Sequence, residues 1–333
     1  MITPTITKRC FIDTGRLCTT NCIFCYHRFV PFEGYKTEEQ LKHEIDRAVE
    51  RGNNYCDYTG GEPTAVPHLD RVIEYALNRG IRSCIITNGV VNPTRLRRLI
   101  DSGVDEWLIS VHGKERTHDL LVGRYGSREI QLRTVDMIKN TGGSIRINVV
   151  MNKFNYMELI DIVTLVLKWE PSIVNFINFN PHHAWKKHMN EAMNIIADLR
   201  LVEPFLIEAI EVLESHNIGV NVRYYPMCRM SEEYRRTICN DLHVLFDPYE
   251  WCYYTTPRTM DRFMLKAQEL SNETENKDEP CCSCDLFKIC GGINVHFNRF
   301  TNGTMIDKIT NFTGDKNDFY WYRKYNIDTL IER

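Results

Sequence analysis

Cys18, Cys22 and Cys25 stand in the run Cys-Thr-Thr-Asn-Cys-Ile-Phe-Cys, three thiols within eight residues. A structural zinc ion is normally closed by four protein ligands, and the nearest fourth here is His27. A cubane [4Fe–4S] cluster takes one ligand per iron, so three cysteines leave one iron open to a substrate or cofactor. An incomplete thiolate set is a catalytic arrangement, with zinc and His27 as its alternative. A second group, Cys281, Cys284 and Cys290, lies near the other end and runs into Gly291-Gly292, with Cys228, Cys239 and Cys252 upstream. Cys10, Cys56 and Cys84 stand apart in apolar, strand-like surroundings.

Thiols in these positions need a rigid frame, and the chain is long enough to build one. Its 333 residues, 43% hydrophobic and 26% charged, are those of a folded protein with a sizeable core. The net charge of −3 gives no general attraction for nucleic acid. No apolar run approaches a membrane span, and Lys8-Arg9 precede no apolar signal segment, so the expected location is the cytoplasm. In that compartment thirteen cysteines read as metal or redox chemistry and not as disulfides.

From residue 11 to about 181, short β-branched or aromatic runs alternate with amphipathic segments, the pattern of β-α units on a parallel sheet. Six strands are expected, at 10–14, 55–60, 83–88, 106–112, 144–151 and 173–180. Thr37-Glu38-Glu39-Gln40 reads as a capping box, Pro67 and Gly80 bracket a second helix, and Asn92-Pro93 opens a third. Residues 127–140 and 156–169 are the fourth and fifth helices, and 190–215 a sixth. Ligands of such α/β folds sit at the C-terminal strand ends, where Gly60-Gly61-Glu62, Thr87-Asn88-Gly89, Ser110, His112 and Asn180 are found.

The pattern C-x3-C-x-aromatic-C after the first strand, with Phe24 in the aromatic place, and Gly60-Gly61-Glu62-Pro63 after the second resemble the radical S-adenosylmethionine (SAM) superfamily. The resemblance implies an α/β partial (β/α)6 TIM-like barrel over residues 1–215. It also implies that the open iron of a [4Fe–4S] cluster on Cys18, Cys22 and Cys25 binds the amino and carboxylate groups of SAM. A reductase such as flavodoxin or ferredoxin would deliver the electron that cleaves SAM to methionine and a 5′-deoxyadenosyl radical, which takes a hydrogen atom from the substrate. Gly60 and Gly61 would let backbone approach the methionine amino group, and Glu62 would supply an acceptor or a strand-end bond. Ser110 and His112 would meet ribose hydroxyls and the carboxylate, Asn88 and Asn148 are further polar candidates, and the Phe179-Asn180 backbone would meet adenine.

Cys281-x2-Cys284-x5-Cys290 resembles the core of the SPASM and twitch domains, implying a smaller Cys-rich domain over 216–333 with an auxiliary [4Fe–4S] cluster. The last 43 residues hold no cysteine, which argues for one auxiliary cluster, with Cys228 as fourth ligand ahead of Cys239 and Cys252 and with Cys282 pointing away. A four-cysteine zinc ribbon is the alternative. His182, His183, Lys186 and Lys187 suggest an anion-binding patch or, more simply, a hydrogen-bonded loop. Tyr224, Tyr225, Tyr249, Tyr253 and Tyr254 read as packing residues. Because the first strand begins by residue 10, leaving no room for a leader-binding domain, a small metabolite (sugar, nucleoside or amino-acid derivative) is the expected substrate, with a peptide maturase as the alternative. An iron–sulfur electron carrier or zinc-stabilised binding module would not need the glycine motif.

Overall fold

The structure is a computed structural model that describes residues 9–30, 34–50, 52–181, 185, 187–238, 275–277, 279–287, 290–294, 297 and 305–313. His182, His183, Lys186, Cys239, Tyr249, Cys252, Tyr253 and Tyr254 lie outside the described residues.

Strands β1 (Arg9–Asp13), β2 (Tyr55–Thr59), β3 (Arg82–Thr87), β4 (Glu106–Ser110), β5 (Ser144–Met151), β6 (Ile173–Asn178) and β7 (Gly219–Arg223) form one parallel sheet in chain order. Neighbours in sequence are neighbours in space, and the sheet curls into a partial barrel. All six expected strands are present, and a seventh joins them beyond residue 215. Its signature is the two-residue alternation of buried Val220 and Val222, too short to stand out from sequence. Strands β2, β3, β4 and β6 stop one or two residues earlier than expected. At β2 the reason is Gly60, whose φ of +121° turns the chain out of the ladder.

Helices α1 (Glu38–Glu50), α2 (Leu69–Asn78), α3 (Pro93–Asp101), α4 (Glu115–Val122), α5 (Ser127–Asn140), α6 (Leu159–Leu167), α7 (Met189–Met193) and α8 (Leu199–Ser215) cover the outside of the sheet. The capping box forms: Thr37 N–H donates to Gln40 Oε1 at 2.8 Å, and Gln40 N–H donates to Thr37 Oγ1 at 3.2 Å. The helix expected over 190–215 is two, because Asp198 accepts from Arg200 N–H and starts a new helix. Helix α4 is additional.

Along β5, Ile145, Ile147, Val149 and Met151 are buried against the helices, while Arg146, Asn148 and Val150 alternate onto the inner face. Ile12, Tyr58, Ile85 and Phe176 join the same outer core with Leu41, Ile73, Leu99 and Leu206 from the helices. Inside, the lower end of the barrel is closed by charge. Asp57, Cys84 and Glu106 are in register on β2, β3 and β4. Arg9 bridges Asp57 and Glu106 at 2.6 and 2.7 Å, and Arg146 reaches Glu106 at 2.5 Å and Asp57 at 3.5 Å. Two guanidinium groups thus neutralise two carboxylates. Burial alone would raise the Asp57 carboxyl, but Arg9 and Arg146 outweigh it and hold Asp57 below the usual range.

A depressed carboxylate contributes stability that is complete above its unfolded pKa and is lost as pH falls through the lower folded value. Replacing Arg146 by Leu leaves two buried carboxylates facing one guanidinium. The expected loss is about 3–5 kcal/mol at pH 7. In urea titrations the gap from the wild type should narrow in acid, where protonation relieves the unpaired carboxylate. An equal gap at both pH values would refute this account of the plug.

Candidate active site

The first cysteine group lies in the loop that leaves β1 at the upper, C-terminal end of the sheet. Its first half docks on the end of β2: Gly61 N–H donates to Gly15 O and Glu62 N–H to Leu17 O, both at 2.7 Å. A Cβ at Gly61 would stand 2.1 Å from Leu17 O, and one at Gly60 would stand 2.5 Å from Gly15 O. The space that the two glycines vacate is therefore filled by the backbone of the cysteine loop itself. The second half docks on the end of α4. Asn21 and Ile23 N–H groups donate to the terminal carbonyls of Val122 and Leu121, each at 2.9 Å, and Arg124 reaches Thr19 O at 2.7 Å.

Glu62 is buried and ties β2 to β3. Oε1 accepts from Thr64 N–H at 3.2 Å and from the hydroxyls of Thr64 and Thr87 at 2.7 Å, while Oε2 accepts from Asn88 N–H at 2.8 Å. Burial raises its carboxyl above the usual range, and these bonds draw part of that back. Of the two roles expected for Glu62, this is the strand-end bond. Asn88 is held from both sides, since Gln131 Nε2 donates to its carbonyl at 2.7 Å and to Ser110 O at 2.8 Å. The Asn88 side chain turns into the cysteine loop, donating to Thr19 Oγ1, Thr20 Oγ1 and, at 3.8 Å, Cys18 Sγ.

Cys18 is exposed, while Cys22 and Cys25 are half-buried. Burial pushes the Cys22 thiol up to about 12, with Cys25 and Cys18 adding to the rise, and burial likewise raises Cys25. The Cys22 and Cys25 thiols ionise together only when a cation offsets the electrostatic cost, which fits the loop to a bound metal centre. Among the described residues, the metal-capable side chains that bring three ligand atoms within 4.8 Å of one another are Asp57, Cys84 and Glu106, already saturated by Arg9 and Arg146. Among the described residues no cysteine triad and no group with His27 is that tight.

Phe24 lies edge-on to His112, ring centroids 4.6 Å apart. His112 is buried; its Nδ1 accepts from Val150 N–H at 3.2 Å, which leaves the proton on Nε2. Burial, then the charge of Arg128, lowers His112 to about 3, so the ring is neutral near pH 7. Ser110 and Asn148 are in register on the inner face of β4 and β5. The Ser110 hydroxyl has no partner among the described residues, and Asn180 Oδ1, past the end of β6, is buried without one. Uncommitted polar atoms at the strand ends suit a polar ligand.

Sequence reading passed over Gln131 and Trp185. The Trp185 indole donates to Cys25 O at 3.0 Å and packs against Phe29 and Phe179, clamping the loop from the β6 side. Gln131 sits on a helix far from the motifs in sequence, on a buried face that also carries Ser127, Arg128 and Thr134, and no local signal marks it.

Cys228 follows β7 in a 3-10 turn, and with Cys281, Cys284 and Cys290 it lines one pocket capped by Met227, Ile293 and Ile306. Burial pushes Cys281 up to about 12, with Cys290, Cys228 and Cys284 adding to it, and burial raises Cys290 to about 11. Gly292 N–H donates to Cys290 Sγ at 3.3 Å and Asp307 N–H to Cys228 Sγ at 3.4 Å. Cys282 is exposed and turned toward Lys277 O.

Residues 12–166 match the family model of the radical SAM superfamily. The chain is 29% identical over 147 residues to an AdoMet-dependent heme synthase of Methanosarcina barkeri, covering 43% of this chain and 42% of that protein. It is 25% identical over 201 residues to a PqqA peptide cyclase of Bradyrhizobium diazoefficiens, covering 58% and 53%. It therefore spans about half the length, or less, of these curated relatives. Among solved structures, anSMEcpe with bound AdoMet and a Cp18Cys peptide shares the fold at TM-score 0.56 and 14% identity, over 99% of this chain and 98% of that one.

Gly61→Ala drives a methyl group into the Leu17 carbonyl. Iron analysis of the reconstituted variant should fall to the level of a variant in which Cys18, Cys22 and Cys25 are all Ala; wild-type iron content would show that the docked loop does not depend on Gly61.

Proposed function

Because residues 12–166 of this chain are a radical SAM domain, we propose that the protein reductively cleaves SAM at a [4Fe–4S] cluster on Cys18, Cys22 and Cys25 and abstracts a hydrogen atom from its substrate. The observation that carries this reading is the docking of a three-thiol loop onto Gly60 and Gly61 at the strand ends, on the same end of the sheet as Ser110 and the unpartnered Asn180 Oδ1. When bound, the cluster supplies the electron that breaks the sulfonium bond and the open iron that holds the methionine end of SAM. The chain's own residues do the rest. Gly60, Gly61, Glu62 and Asn88 place the three thiols, and Phe24 covers the neutral His112 ring, whose Nε2–H is a donor near pH 7. Ser110, Asn148 and Asn180 are the groups left to meet ribose and adenine.

Cys228, Cys281, Cys284 and Cys290 line one pocket and would be the ligand set of one auxiliary [4Fe–4S] cluster, with a zinc ribbon as the alternative. Residues 216–333 form the auxiliary part, with β7 contributed to the barrel sheet and Cys228 directly beyond it. A small-molecule substrate is the leading reading, supported by the match to the heme synthase. The match to the PqqA peptide cyclase over more of the chain supports a peptide as the second. A flavodoxin or ferredoxin is the electron donor on either reading. Among the described residues no helix is long and apolar enough to cross a membrane.

Anaerobically reconstituted protein with dithionite and SAM should form methionine and 5′-deoxyadenosine, and the triple Ala variant at Cys18, Cys22 and Cys25 should form neither. That variant should keep about half of the roughly eight irons that two cubane clusters contain. SAM cleavage by the triple variant, or stoichiometric zinc in the anaerobic preparation, would sink the respective assignments. With a substrate in hand, Cys284→Ala should keep forming 5′-deoxyadenosine while losing an oxidised product if the auxiliary cluster takes the electron of the substrate radical. Deuterium transfer into 5′-deoxyadenosine from labelled tetrapyrroles or from labelled peptides decides the substrate class.

A further inference from the structure

Polar side chains stand in register across the inner face of four successive strands: Ser110 on β4, Asn148 on β5, Asn175 on β6 and Asn221 on β7. The three asparagines form a ladder. Asn221 Nδ2 donates to Asn175 Oδ1 at 3.1 Å, and Asn175 Nδ2 donates to Asn148 Oδ1 at 2.9 Å. The two ends of a carboxamide have nearly the same shape, so a chain of amides could run in either direction unless some group with a single role fixes it. The Ile147 carbonyl is that group. Asn175 Nδ2 also donates to it, at 3.3 Å, and a carbonyl can only accept.

Turning the Asn175 amide over would set oxygen against oxygen at Ile147. Its nitrogen therefore stays on the β5 side, and Asn148 must answer with Oδ1. The end of Asn148 left for a ligand is Nδ2, which has no partner among the described residues, in a side chain that is only half-buried. At the other end of the ladder Asn221 Oδ1 is buried and unpartnered, as the same polarity requires. Amide chains of one direction also polarise one another, strengthening the terminal donor.

We propose that Asn175 is a positioning residue that fixes the amide of Asn148 as a hydrogen-bond donor, so that the cofactor presents an acceptor oxygen there. This rests on the reading of these strand ends as the SAM site. Asn175→Asp removes both N–H donors of the side chain and sets a carboxylate against Ile147 O and Asn148 Oδ1, so the Asn148 amide turns and offers oxygen where the ligand needs a donor.

The test is equilibrium binding of SAM to the reconstituted protein, with iron content and thermal midpoint measured alongside. Asn148→Ala and Asn175→Asp should each weaken SAM about tenfold at wild-type iron content, equivalent to one lost hydrogen bond of about 1.4 kcal/mol. Asn175→Leu, which brings no buried charge, should weaken it by about three-fold because the amide of Asn148 is freed rather than reversed. The decisive readout is the double variant: in an Asn148→Ala background, Asn175→Asp should cost less than a further twofold, whereas a merely structural role would add its full tenfold. Additive losses, or wild-type affinity in both Asn175 variants while Asn148→Ala is impaired, overturn the inference alone. Unchanged affinity in Asn148→Ala overturns the underlying cofactor reading, and the inference with it.

Discussion

The upper face of this barrel depends on one close approach, that of the cysteine loop backbone to the end of β2. Gly61 has no Cβ because Leu17 O occupies its place, and Gly60 has none because Gly15 O does. Gly15 is constrained in turn by the backbone of Tyr35. Around this contact the hydrogen bonds form a closed circuit: Glu62 holds the start of the β3 turn, Asn88 in that turn holds Thr19, Thr20 and Cys18, and the loop returns to Gly61 and Glu62 through Gly15 and Leu17. The loop that carries the three thiols is held in place because its backbone is tied at β2, β3 and α4 together.

Electrostatics divide the barrel interior into two ends with opposite logic. The lower end is complete in itself, with Arg9 and Arg146 balancing Asp57 and Glu106 and leaving Cys84 a protonated, inert thiol whose ionisation burial opposes. The upper end and the pocket around Cys228 hold thiols that burial and mutual repulsion keep from ionising. What the plug supplies from its own arginines, the thiol sets require from a bound cation.

The two cysteine sets are linked through the sheet. β7 adds the seventh strand, and the chain leaves it through Tyr225 and Met227, both buried, directly into Cys228. Asn221 on that strand ends the amide ladder that begins at Asn148, so one strand borders both the ladder and the second thiol set. An electron acceptor held there would be anchored to the same sheet that positions the substrate-facing residues.

Much of this was legible from local sequence. The β-α alternation, the capping box at Thr37, the helix over 127–140, the two cysteine sets and the motif at Gly60 are short-range patterns whose physics acts within a few residues, so spacing alone determines them. Cys228 lines one pocket with Cys281, Cys284 and Cys290, while Cys239 and Cys252 lie outside the described residues. What spacing could not determine were contacts between residues far apart in the chain. Gly60 and Gly61 also make room for the backbone of Gly15 and Leu17; the Asn88 side chain reaches the cysteine loop; Gln131 and Trp185 carry no motif, yet they bond to the Asn88 and Cys25 carbonyls. Whether a small polar residue at a strand end meets a ligand or its own chain depends on which backbone arrives within 3 Å of it, and only the folded sheet decides that.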